Sequence, residues 1–214
     1  YGFIAAVLPV WMLLAPRDYL STFMKVGVIA MLAISIVIVR PVINVPAMTV
    51  YATNGAGPVF SGKLFPFLFV TIACGALSGF HATISSGTTP KLIEKESQAR
   101  LIGYGGMLME SFVAIMALVA ALSVDRGIYF AMNSPAGATG NTVKSAIAYV
   151  NSLGLSSVHA NANTLTTTAK LVGETSIVSR TGGAPTLAVG LATIMHKIFG
   201  GEAMMSFWYH FAIM

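Results

Sequence analysis

The sequence predicts an all-α, polytopic integral membrane helix bundle whose helices are interrupted by glycine. Three observations predict it. Hydrophobic residues make up 56% of the 214-residue chain and charged residues only 9%, against about 25% charged in an ordinary soluble domain. The mean hydropathy is +0.79. Apolar runs approaching the length of a membrane span recur between short polar breaks. A soluble fold of this size must cover its surface with polar side chains, and so few charges cannot do that. The composition excludes an ordinary cytosolic enzyme, a disordered tail and a disulfide-stapled secreted domain. Cys74 is the single cysteine. It lies in an apolar run and reads as packing.

Taken in order, Tyr1–Ala15 is the tail of a first span, stopped by Pro16-Arg17-Asp18. Tyr19–Val39 is a second, with Lys25 near enough to its start to snorkel, and Arg40-Pro41 ends it. Residues 42–63, rich in proline and turn signals, form an interfacial loop. Leu64–Ile84 is a third span, containing Gly75 and Gly79 and running into Ser85-Ser86-Gly87-Thr88-Thr89-Pro90. Thr89 and Pro90 suit the N-cap and first position of a short helix carrying Lys91, Glu94, Lys95, Glu96 and Arg100. Ile102–Val124 is a fourth span. Gly103, Gly106, Glu110, Ala114, Ala117 and Ala121 recur on it in steps of three and four, which makes one stripe suited to helix contact. Leu108, Phe112, Ile115, Val119 and Leu122 lie off the stripe and can face lipid.

Residues 125–168 are too polar for the bilayer core and too long for a turn. They read as an external polar loop with a short surface helix over Val143–Val150. Ala169–Arg180 is weakly helical, Gly182–Phe199 is a fifth, short span, and Ala203–Met214 is a further apolar run. Both ends of the chain fall inside runs shorter than the roughly 20 residues that cross a bilayer. Residues 1–214 are therefore expected to be an internal piece of one longer multi-span domain.

The net charge of +5 is scattered along the chain. No Lys/Arg cluster is interleaved with aromatics, so no nucleic-acid partner is expected, and the excess suits the lipid bilayer with its anionic inner leaflet. Basic residues are densest in the short connections around Arg17 and Lys91–Arg100. That density places these connections in the cytoplasm and residues 125–168 outside it.

Motifs for metal-dependent, nucleotide-binding or nucleophilic catalysis are missing, and no metal, cofactor or catalytic residue is expected. The signal lies in polar groups at membrane depth, where they are costly. Glu110 is the ninth residue of the fourth span, about 12 Å along it at about 1.5 Å per residue. On the small-residue stripe it is a candidate proton carrier, or a carboxyl hydrogen-bonded for packing alone. His81 is a candidate proton relay, or an interfacial histidine bonded to a backbone carbonyl. Glu174 could carry a proton or pair with Arg180.

Ser85 and Ser86 offer hydroxyls at a helix start, as a substrate lining or as a cap. Arg180-Thr181-Gly182-Gly183-Ala184-Pro185 pairs a guanidinium with a glycine turn and a helix start. There Arg180, Gly182 and Gly183 could grip a carboxylate, with an interfacial anchor as the plain alternative. His210 lies in an aromatic run, and His159 and His196 read as solvated. The two Gly-interrupted segments, Cys74–Thr89 and Gly173–Pro185, have the pattern of the broken helices that build transporter sites.

Ala15-Pro16-Arg17-Asp18-Tyr19-Leu20-Ser21-Thr22-Phe23, then Ala73–His81, Ile84–Lys91, Ile102–Ser111, Arg180–Ala188 and Phe207–Ile213, closely resemble the carbon starvation protein A (CstA) family. Residues 132–168 depart most, and nothing is carried over there. The resemblance implies a bacterial inner-membrane permease of many spans, importing peptides or, in close relatives, pyruvate, with protons. It also implies distant kinship with amino-acid/cation transporters that have broken helices, and a chain longer than this one. It assigns no ligand residues, so the site residues rest on their chemistry alone. Two other readings stay open: a membrane redox or haem protein with His81 and His210 as axial ligands, and a starvation sensor that does not transport. The oligomeric state is left open.

Overall fold

The computed structural model describes residues 2–43, 45–60, 62–76, 79–155 and 158–213, and among these every regular element is helical. Helix α1 covers Gly2–Val7 and α2 covers Val10–Val39. Pro9, not Pro16, stands at the N-cap of α2, and Pro16 lies inside it. The expected stop at Pro16-Arg17-Asp18 is therefore a correction. One missing backbone N–H does not end a long apolar helix. Downstream, Ser21 and Thr22 donate their hydroxyls to the Asp18 carbonyl at 3.0 and 2.7 Å. The other end is as expected. Arg40 takes the left-handed cap (φ 47) and returns its N–H to Ile36 O at 2.9 Å, and Pro41 cannot continue the helix.

A short α3, Tyr51–Asn54, interrupts the loop 42–63. The third expected span is built in pieces. These are α4 (Leu64–Ala76), α5 (Gly79–Thr83), a π-helical turn (Ile84–Thr88) and α6 (Thr89–Leu92). The glycine-rich junction at Leu77 and Ser78 and the side chain of Cys74 lie outside the described residues. Thr88, not Thr89, is the N-cap of α6. Ile93 is extended, so Glu94 to Arg100 do not belong to that helix. A new helix, α7, runs from Glu96 to Leu122, with Glu96 favourably placed at its positive end.

The expected polar loop folds into helices: α8 (Arg126–Asn133), α9 (Ala136–Thr139), α10 (Val143–Ser152) and α11 (Ala162–Val172). Side-chain caps start three of them. Asp125 accepts from Gly127 and Ile128 N–H, Thr142 from Ser145 N–H and Asn161 from Asn163 N–H. Helix α8 is buried nearly all round, with Ile128, Phe130, Ala131 and Met132, while α10 and α11 each bury one apolar face, with Ala146 and Val150, then Leu165, Ala169 and Val172. The surface helix expected over 143–150 is α10, two residues longer than expected.

The core forms around α12, Gly183–Met195, which packs against α2, α7, α8 and α13 (Met205–Ile213). Eight of its residues are buried, from Thr186 to Met195. At its far end Ser35 of α2 donates to the Met195 sulfur at 3.1 Å. Gly190 sets the α7 crossing, since a Cβ there would sit 2.2 Å from the Ala120 carbonyl oxygen. The buried face of α7 is accordingly Met116 and Ala120. Of the expected stripe, Ala117 and Ala121 are half-buried. Gly103, Gly106, Glu110 and Ala114 are exposed, because α12 reaches only the later half of α7.

Two helical segments, Pro16–Val39 and Glu96–Leu122, are long and apolar enough to cross a membrane. At about 1.5 Å per residue, α4 and α12, each 13 residues, reach about 20 Å, short of a hydrocarbon core of about 30 Å. Gly190→Ala is expected to destabilise the protein by about 1–3 kcal/mol, because the methyl group meets backbone that cannot rotate away. A lowered thermal unfolding midpoint of the full-length protein in detergent checks this, and an unchanged midpoint would deny the close crossing.

Candidate functional site

The turn from α11 into α12 brings three of the expected groups together. Helix α11 ends in a Schellman closure. The Gly173 N–H returns to Lys170 O at 3.1 Å and the Glu174 N–H to Ala169 O at 2.9 Å. Gly173 has φ 78, and a Cβ there would lie 2.6 Å from the Ser206 hydroxyl oxygen of α13. Glycine thus serves both the turn and the approach of α13, and Glu174 leaves the helix in a fixed direction. Ile177 and Val178 then anchor the chain in the core. Ser179, in the left-handed region (φ 54), donates its N–H to Ala131 O of α8 at 2.9 Å, and its hydroxyl bonds Thr139 of α9.

These anchors set Arg180 opposite Glu174. The guanidinium donates through Nη1 to Oε1 at 3.0 Å and through Nη2 to Oε2 at 2.6 Å, a two-bond fork. The side chains are 40% and 19% exposed, so the pair sits at a part-buried edge. On the inner side stands Tyr209 of α13, fully buried. Its hydroxyl lies beside the Arg180 guanidinium without completing a hydrogen bond. On the other side Glu174 lines a cleft of about 330 Å³, together with Thr166, Lys170, Thr175 and Ser176.

Gly182 and Gly183 begin α12 and are exposed. The buried Asn133, the last residue of α8, holds this start. Its Oδ1 accepts from the Gly182 N–H at 3.4 Å, while Nδ2 donates to the Thr186 hydroxyl at 2.9 Å and to Tyr129 O at 3.1 Å. The Thr186 hydroxyl also reaches Gly182 O at 3.1 Å. Burial holds the phenol of Tyr129 above its ordinary value of 10.0, so it stays a neutral neighbour. Sequence reading missed Asn133, Ser179, Lys170 and Tyr209 as parts of this site. An Asn133-Ser134-Pro135 turn signal stands in the sequence, and it carries no hint of a partner 53 positions away.

The other expected residues stand on separate elements. Ser85 and Ser86 lie on the π-helical turn, both exposed, and both donate to Ala82 O, at 3.0 and 2.8 Å. That turn packs chiefly on α5 and α6, its own neighbours in the chain. His81 is exposed on α5, and Glu110 is exposed midway along α7. His210 holds the Ser206 carbonyl through Nδ1 at 2.8 Å, and His196 holds Ala192 O at 2.9 Å. The described residues thus assemble Glu174, Arg180, Gly182 and Gly183, and leave Ser85, Ser86, His81 and Glu110 apart from them. No group of three or more metal-ligating side chains occurs among the described residues.

A family model described as carbon starvation protein CstA matches residues 1–214. The chain belongs to the carbon starvation protein CstA family. It is 61% identical over 219 residues to the peptide transporter CstA of Escherichia coli K12, and 59% over 214 residues to that of Mycobacterium tuberculosis H37Rv. It is 53% identical over 233 residues to the pyruvate/proton symporter BtsT of Escherichia coli K12. All of this chain is covered each time, and it spans 31%, 28% and 32% of those relatives. No solved structure matches.

Asn133→Ala is expected to cost about 1–3 kcal/mol, because it removes the bonds to the Thr186 hydroxyl, the Tyr129 carbonyl and the Gly182 N–H and frees the start of α12. The check is the unfolding midpoint of the full-length protein. Asn133→Asp should recover little, since a carboxylate cannot donate to Tyr129 O.

Proposed function

We propose that this chain is part of a multi-pass secondary transporter of the bacterial inner membrane, one that takes up peptides or small carboxylates such as pyruvate together with protons. The match to a transporter family over the whole chain carries the reading, since the relatives' names are those of a peptide transporter and a pyruvate/proton symporter. A transport role without a resident cofactor fits those names better than a haem protein or a silent sensor. Two apolar helices of spanning length support the membrane setting.

Arg180 with the exposed Gly182 and Gly183 forms the carboxylate site at the start of α12. The guanidinium supplies two parallel donors, and the helix start, where Asn133 holds the Gly182 N–H, adds the positive end of the helix dipole. Glu174, already on Arg180, is the first proton group. Glu110 and His81 are further proton groups, and Ser85 and Ser86 line the path with hydroxyls. Glu110 belongs in this set because a carboxyl at mid-span is costly unless it is used or covered.

In proteoliposomes of the full-length protein, Arg180→Ala should raise the half-saturation constant for pyruvate or a dipeptide about tenfold. Arg180→Lys should recover only part of it, because lysine keeps the charge and loses the planar fork. Unchanged uptake in both would remove the carboxylate site. Topology is checked separately. A cysteine at the exposed Lys144 position of α10 should react with an impermeant maleimide from outside the cell, and labelling only from the cytoplasmic side would reverse the orientation.

A further inference from the structure

The fork assigned to a substrate carboxylate is already filled. Glu174 meets Arg180 through both oxygens, at 3.0 and 2.6 Å. A free carboxylate would take this same planar, two-bond arrangement on an arginine. The Nη1–Nη2 face of the guanidinium is therefore closed to a second carboxylate while Glu174 stays. Glu174 also has somewhere to go. It lines the cleft of about 330 Å³ together with Thr166, Thr175, Ser176 and the exposed Lys170. The backbone on either side is fixed by the Schellman closure and by Ser179 on α8, so only the side chain needs to swing.

We propose that Glu174 is a resident stand-in for the substrate carboxylate. Substrate binds Arg180 by displacing Glu174, and the displaced Glu174 takes up a proton. This rests on the transporter reading above. Charge balance gives the reason. The start state holds one guanidinium and one carboxylate. Adding a substrate carboxylate takes the guanidinium from Glu174 and leaves that carboxylate without its ion-pair partner. A proton from solvent restores the balance. Arg180⁺ then holds the substrate carboxylate, and Glu174 turns into the cleft as a neutral acid.

Several charged and titratable groups surround Glu174. Arg180 is its ion-pair partner, and Lys170 on α11 shares the cleft at an exposed position. On α13, Tyr209 stands on the inner side and His210 lies against Gly173. The Tyr209 hydroxyl is buried beside the Arg180 guanidinium without a hydrogen-bond partner.

The test is calorimetric titration of pyruvate, and separately of alanyl-alanine, into the full-length protein in detergent, in buffers of different ionisation heat. In the unmodified protein, binding should draw about one proton from the buffer, and affinity should fall as pH rises. Glu174→Gln should bind on the order of tenfold more tightly at neutral pH, because the competing occupant is weakened, and should draw no proton. In proteoliposomes that variant should still exchange substrate across the membrane but lose accumulation driven by a pH gradient. Binding without proton uptake in the unmodified protein overturns the proposal without needing any variant. So does a Glu174→Gln protein with unchanged affinity and unchanged proton uptake. In both cases a weakened Arg180→Ala would keep the carboxylate site itself standing. Wild-type affinity in Arg180→Ala, or no binding of either probe to the unmodified protein, would instead remove the carboxylate site and this proposal with it.

Discussion

A single absent side chain at Gly190 lets α12 lie against the backbone of α7, and the rest of the arrangement depends on that contact. A methyl group there would stand 2.2 Å from the Ala120 oxygen, so the two helices could not cross where they do. Once they cross, α12 is enclosed by α2, α7, α8 and α13. A helix so enclosed has little face left for lipid or water, and its length need not match the membrane. Its thirteen residues then serve as a fixed post. The sulfur of Met195 is held by Ser35 at one end, and Asn133 and Thr186 hold the other. The turn that carries Arg180 is mounted on this post.

The ion pair on the turn contributes little to stability. With side chains 40% and 19% exposed, such a pair is worth about 0–1 kcal/mol once solvent screening and side-chain entropy are counted. The backbone around it, in contrast, is heavily determined. A left-handed glycine is pressed against Ser206, a left-handed serine is bonded to two other helices, and a buried asparagine bonds the residue that opens α12. Backbone in sparsely populated conformations persists only where its surroundings demand it. Here those surroundings hold the Arg180 fork in its geometry.

Local chemistry made much of this legible in the sequence. Arg40-Pro41 ends α2 because a left-handed cap followed by proline has no way to continue. Val143–Val150 reads as a helix because Thr142 caps it and its apolar residues share a face. Arg180 with its glycines announces a turn before a helix. Non-local features were not legible. Pro16 looks like a stop only if the helix has nothing else to sustain it, and the apolar run on both sides does. The stretch 125–168 looks too polar to pack because many of its hydroxyls and amides are spent on caps and on bonds back to their own helix, as at Thr164 and Thr166. What remains apolar is enough to bury α8 and one face each of α10 and α11. Asn133 carried no sign of Thr186, because pairing across 53 residues leaves no mark in spacing.

The two acidic residues expected to carry protons therefore stand in opposite circumstances. Glu174 is neutralised, fixed by its backbone and provided with a cleft. Glu110 sits with Gly103, Gly106 and Ala114 on the exposed side of α7, and no ion pair reaches it among the described residues. A charged carboxylate facing hydrocarbon costs several kcal/mol on common scales, about 2.5–3.5 kcal/mol for aspartate at a helix centre on the translocon scale. Small residues on either side of Glu110 leave room for another helix to approach closely and supply a donor. The chain spans about a third of the relatives it matches, and in proteins of that size a further helix on this face would satisfy both demands. The Arg180 turn meets its own requirement entirely from within these residues, and so its chemistry can be read here while that of Glu110 depends on what packs beside it.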